Sequence, residues 1–101
     1  MSHYARGAAR EREVMALLKE RGWRCFRGAG SKGCDIVALR EGHTPRLYEV
    51  KATAAGPFSG FGPADRDAMR ALAREAGAVA FLCWWPPDRR GPRWIPEEGW
   101  P

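Results

Sequence analysis

Between Gly7 and Arg21 the apolar side chains recur at helical spacing, with Val14, Met15, Leu17 and Leu18 on one stripe and Gly22 stopping the run. Glu11 lies three, four and seven positions before Val14, Met15 and Leu18, so it shares their inward face. An acid there needs a partner, because carboxylates are rarely buried alone. Arg10, Glu13 and Glu20 read as solvated charges. The period then changes to two. Trp23 to Arg27 and Asp35 to Arg40 (DIVALR) alternate as short strands, and the turn residues Glu41 to Pro45 lead into a third, Arg46 to Thr53 (RLYEVKAT). In that strand Tyr48 and Val50 face one side, while Leu47, Glu49 and Lys51 face the other.

A Gly and Pro loop, Ala55 to Pro63, follows and carries Phe58 and Phe61. Pro63 to Ala76 predicts a second helix with Ala68, Met69, Leu72, Ala73 and Ala76 turned inward. Ala78 to Trp85 (AVAFLCWW) is a near-continuous apolar run that suits a strand covered on both faces. Pro86 to Pro92 breaks it, and Arg93 to Pro96 reads as a last short strand. The order of helix, three strands, helix and one or two strands predicts an α/β chain with a small central mixed β-sheet flanked by helices. At 101 residues the chain can bury one modest core, so a single domain over residues 1–101 is expected.

Charge changes this picture. Residues 1–34 carry eight Lys or Arg against three acids, whereas residues 35–101 balance nine against nine, so the whole net charge of +5 lies in the first third. A basic, Arg-rich end is the electrostatic footprint of a partner that carries phosphates. No apolar run is long enough to span a membrane, and the first residues lack the apolar segment of a signal peptide, which predicts a soluble cytoplasmic protein. The N-terminal helix interleaves its Arg residues with acids and lacks an aromatic apolar face, which argues against a membrane surface as the partner. Cys25, Cys34 and Cys83 are odd in number and widely spaced, which speaks against a disulfide framework or a zinc site.

Gly28, Gly30 and Gly33 in "GAGSKGCDIVAL" have the spacing of a dinucleotide fingerprint. That fingerprint needs a helix after the glycines, whose N-terminus holds the pyrophosphate, and here a strand follows. No nucleotide cofactor is expected. The loop instead makes a tight connection whose backbone N–H groups, with Ser31 and Lys32, can approach a phosphate. With a turn at Glu41 to Thr44, Arg40 faces Pro45 and Asp35 falls opposite Val50; a slip of one residue sets it against Glu49 or Lys51. Either register brings Asp35, Glu49 and Lys51 together, with Glu11 on a nearby inward helix face. Oxygen donors at this density suit Mg²⁺ or Mn²⁺.

The residues "GAAREREVMALLKERGW…FRGAGSKGCDIVAL…YEVKAT" resemble the archaeal-type Holliday junction resolvases of the restriction-endonuclease-like superfamily, marked by the PD-(D/E)xK motif. The resemblance covers Gly7 to Thr53 closely and the remainder loosely. It implies a Mg²⁺-dependent endonuclease, with Mn²⁺ able to substitute, that cuts four-way DNA junctions by paired nicks as a homodimer. By the same resemblance, Asp35 and Glu49 bind the metal with the backbone carbonyl of Val50, and Glu11 completes the site directly or through water. Lys51 orients the attacking water or stabilises charge on the phosphate, and Arg12, Arg27, Ser31 and Lys32 contact the DNA backbone.

Three departures stand out. Cys34 occupies the place of the superfamily's proline, the loop FSGFGPADRD is poor in Lys, and the chain ends close after its last strand. A two-fold dimer needs an interface, and Phe81, Trp84, Trp85, Trp94 and Trp100 offer more aromatic surface than so small a core absorbs. The competing expectations are a nuclease of the same fold acting on nicked, branched or damaged duplex, and a DNA-binding module without cleavage. Retention of Asp35, Glu49 and Lys51 together favours an enzyme.

Overall fold

The computed structural model describes residues 3–28, 33–88 and 90–101, with the backbone alone for 3–6. Gly30, Ser31 and Lys32, where the sequence places a phosphate-approaching loop, lie outside the described residues. Helix α1 (His3–Glu20) is followed by β1 (Arg24–Arg27), β2 (Ile36–Leu39), β3 (Arg46–Ala52), α2 (Pro63–Ala76), β4 (Val79–Trp85) and β5 (Arg93–Pro96), then a short 3₁₀ turn at Glu97–Gly99. The five strands form one sheet in chain order. β1, β2 and β3 pair antiparallel, β3 and β4 parallel, and β4 and β5 antiparallel, which is the expected mixed sheet. The parallel pair is the one that needs a crossover, and α2 supplies it.

Each helix end has a local cause. At the end of α1, Gly22 takes φ +90° and the Trp23 amide donates to Leu18 O at 3.0 Å. Pro63 opens α2, where its missing N–H costs nothing, and Gly77 closes it at φ +62°. α1 begins four residues earlier than the apolar stripe predicts, since Gly7 is tolerated inside it.

The sheet separates two cores. On the α1 face, Val14 and Leu18 meet Trp23, Cys25, Ile36, Ala38, Tyr48 and Cys83. The other face joins Met69 and Ala73 of α2 to Leu47, Phe61, Ala80, Leu82 and Trp100. Full burial of side chains such as Leu18 and Leu82 contributes about 1.5–3 kcal/mol each. Two expectations for α2 are corrected: Ala68 and Ala76 are exposed, and Arg66 is buried in their stead. A methyl group is too small to specify a face, whereas Arg66 fills its place by donating to Phe61 O at 2.7 Å and lying over the Phe58 ring.

The aromatic surplus is also mostly absorbed. Trp100 is buried edge-on against Phe61, while Phe81 stacks on Tyr48 and Trp94 meets Tyr48 edge-on. The large apolar side chains left exposed among the described residues are Phe26 and Leu39, on β1 and β2.

The β2–β3 register differs by one residue from the turn-based count. Ile36 pairs with Tyr48, Val37 with Leu47 and Ala38 with Arg46, so extending the ladder sets Asp35 beside Glu49 rather than Val50. Pro45 has no N–H to give to a ladder, the pairing ends at Ala38 with Arg46, and the connection turns with Gly42 at φ +80° and His43 N donating to Arg40 O.

Candidate active site

An open cleft of about 730 Å³ runs between the first turns of α1 and the C-terminal end of β3. Glu11, Asp35, Glu49, Val50 and Lys51 all line it, as do Arg10 and Glu13. Asp35 stands where β2 leaves the glycine loop. Its amide donates to Tyr48 O at 2.9 Å, and its Oδ2 accepts the Val50 amide at 2.8 Å. The carboxylate therefore takes a place in the β3 backbone's own hydrogen bonding, which fixes it against Glu49.

Glu49 is largely buried, with 17% of its side chain exposed, and Lys51 Nζ lies 3.6 Å from its Oε1. Burial foremost, then the negative charge of Asp35 and a hydrogen bond between the two carboxyl groups, push the Glu49 pKa up to about 8; Lys51 only partly offsets this. Two acids held this close are poorly accommodated without a cation. Among the described residues no three His, Cys, Asp or Glu side chains gather to form an all-protein cage. Two carboxylates in an open cleft fit a hard divalent cation such as Mg²⁺, which keeps several waters, better than a tetrahedral metal. Cys34 is buried beside them, and burial together with the Asp35 and Glu49 charges raises its thiol pKa, which keeps it inert.

Glu11 reaches the cleft from α1, yet its Oε1 accepts from Arg27 Nη2 at 3.2 Å. The partner that an inward acid needs is thus Arg27. Arg12 is exposed on α1. Arg10, which reads in the sequence as a solvated charge, is instead half-buried over Trp85, its guanidinium carbon 4.6 Å from the ring centroid. Nothing local in the sequence could signal that contact, which joins α1 to the end of β4.

The loop after β3 is fastened beside Lys51. Trp84, which pairs with Lys51 across β3 and β4, donates its indole N–H to Thr53 O and Oγ1 at 3.1 Å, and Thr53 Oγ1 donates to Gly56 O. A Cβ on Gly60 would lie 3.7 Å from Lys51 Cδ, so the loop backbone packs against the lysine stem.

Gly28 explains part of the glycine pattern. Its amide donates to Asp35 O at 2.9 Å, and a Cβ there would overlap the Cys34 carbonyl oxygen. No side chain fits such an approach without moving the backbone that carries Asp35. Gly28→Ala is expected to lower the melting temperature and to weaken divalent-cation binding several-fold by calorimetry, and an unchanged affinity would count against this account.

A mixed sheet that sets Asp35 and the Glu49-x-Lys51 pair side by side where β2 begins against β3 defines the restriction-endonuclease-like class of fold. The chain belongs to the archaeal Holliday junction resolvase family, whose sequence model matches residues 2–95. It is 38% identical over 55 residues to the crossover junction endodeoxyribonuclease Hjc of Methanocaldococcus jannaschii, a match covering 54% of this chain and 41% of that protein. The matched segment is thus well under half of that relative's length. The structure of the Holliday junction resolvase Hjc of Archaeoglobus fulgidus superposes with a TM-score of 0.80 at 29% identity, over 92% of this chain and 74% of that one. None of the described helices is long and apolar enough to cross a membrane.

Proposed function

We propose that the chain is a Mg²⁺-dependent, structure-selective endodeoxyribonuclease that resolves four-way DNA junctions by paired nicks as a homodimer. The observation that carries this reading is the convergence of Asp35, Glu49 and Lys51 in one cleft of a chain belonging to the junction resolvase family. Asp35 and Glu49, with the Val50 carbonyl, would hold the ion, and Glu11, engaged by Arg27, would reach it through water. A bound Mg²⁺ supplies a lowered pKa for water and charge stabilisation during in-line displacement at phosphorus.

The chain's own residues supply position. Lys51, its stem held by the fastened loop, presents an ammonium that orients the attacking water or offsets charge on the phosphate. Arg27, nearly half exposed, offers the backbone a guanidinium whose present partner, Glu11, is a single carboxylate oxygen. Arg12, Ser31 and Lys32 would extend the phosphate track. A homodimer would place two such clefts on the two symmetry-related strands that resolution must cut.

Synthetic four-way junction and linear duplex of the same sequence test the reading. Paired, near-symmetric nicks in the junction with Mg²⁺, and little cutting of the duplex, are expected; equal cutting of both would favour the same-fold nuclease of broader substrate. For Arg27→Ala, junction binding should weaken and the salt slope should fall by about 0.9, the share of a single phosphate. An unchanged slope would remove Arg27 from the DNA track.

A further inference from the structure

Arg10 and Trp85 are not accounted for by the assigned site. Arg10 lines the cleft from the α1 side, and Lys51, Ala52 and Thr53 line it from the end of β3. Its guanidinium sits over the Trp85 ring at 4.6 Å, and Nη1 pairs with both oxygens of Glu13 at 3.2 and 3.3 Å. Trp85 is itself half-buried, packs against the α1-face core, and has an indole N–H that is buried without a partner among the described residues. The ring therefore acts as a fixed platform and leaves the orientation of Arg10 little freedom.

Such an arrangement is costly for an ordinary surface charge. A guanidinium seated on a ring loses rotamer freedom, and an exposed pair three residues apart on a helix returns little for it. What a pre-oriented guanidinium in an open cleft favours is a planar, bidentate anion or a phosphate. Glu13, half exposed, is a counter-ion that can be surrendered.

We infer that Arg10, seated on Trp85, grips a phosphate next to the scissile one on the strand being cut, with Glu13 released when DNA enters. This rests on the nuclease reading proposed above and adds a residue of this chain to its substrate contacts. Arg10 is a binding residue, and Trp85 is a positioning residue that acts through it.

The test measures junction affinity over a range of salt for the full chain and for Arg10→Ala, Arg10→Lys, Glu13→Gln and Trp85→Leu. Arg10→Ala should weaken binding about three- to tenfold and reduce the salt slope by about 0.9, as for one phosphate. Arg10→Lys should restore the slope but only part of the affinity, because the bidentate fork is gone. Trp85→Leu should weaken binding while keeping the slope, since the charge remains and only its orientation is freed. Glu13→Gln should tighten binding, a sign that damage to helix α1 would not produce. Junctions carrying one neutral methylphosphonate at a time should show a single position beside the cut where the wild-type chain loses affinity and Arg10→Ala does not. Equal losses in both proteins at every position, or Glu13→Gln binding more weakly, would overturn the inference while leaving the nuclease reading intact. Failure of the unmodified chain to bind any junction would overturn both.

Discussion

Glu49→Gln should abolish Mg²⁺-dependent junction cleavage, by at least about 100-fold, while raising the melting temperature of the metal-free chain. The two effects have one origin. Glu49 is held in a mostly buried position against Asp35, where Lys51 offsets its charge only in part and a divalent cation would complete the compensation. A neutral amide of the same shape carries no cost of buried charge or of proton uptake on folding, and it loses the means of holding the ion. Asp35→Asn should also abolish cutting, but its melting temperature should not rise in the same way. Its Oδ2 accepts the Val50 amide at 2.8 Å, and an amide oxygen is the weaker acceptor. Both variants should bind junction at least as tightly as the parent, since each removes negative charge close to phosphate. Cleavage assays with denaturation scans in chelator check both halves, and a Glu49→Gln variant that cuts at the parental rate would remove Glu49 from the metal site.

The second large effect is on stability against pH. Folding raises the Glu49 pKa from its ordinary value of 4.5 to about 8, so between those values the folded state binds more protons than the unfolded one. That contribution is full below the unfolded pKa and is lost as pH rises through the folded one. The metal-free chain should therefore lose melting temperature from about pH 5 to about pH 8.5. Mg²⁺ should flatten or reverse this trend, because it binds the deprotonated form, and its affinity should climb over the same range. Glu49→Gln should remove the slope in chelator. A parent chain whose melting temperature rises steadily across that interval would show that Glu49 is charged without a metal.

Much of this site is legible in the chain, for reasons that differ by residue. Period two alone places Glu49 and Lys51 on one face of β3, because side-chain alternation is a property of the backbone. The turn count brings Asp35 within one residue of its place; the remaining step depends on how Pro45 alters the connection. The need of Glu11 for a partner follows from its inward position, but Arg27 as that partner requires the packing of α1 on β1. Arg10 over Trp85 joins residues 75 apart in sequence and leaves no periodic trace. The stripe of α2 misleads where Ala68 and Ala76 can serve either face, and Arg66 shows that a long charged side chain can take an inward position by bonding a backbone carbonyl. Among the tryptophans, composition alone suggests surface, whereas Trp100 is core because Phe61 and the Ile95 carbonyl receive it.

The β2–β3 hairpin also bears on the order in which the molecule folds. Asp35, Glu49 and Lys51 all belong to one short hairpin, whose closure is a local event expected on the microsecond scale, roughly 1–10 μs, ahead of the slower docking of α2 and β4 in a parallel pairing. In that order two carboxyl groups would be pressed together early, before most of the buried surface is gained. A divalent cation held by these two residues would act on that early step and speed folding, not merely slow unfolding. The cleft to which the proposed function assigns DNA phosphate would then double as a folding nucleus whose formation depends on the ion.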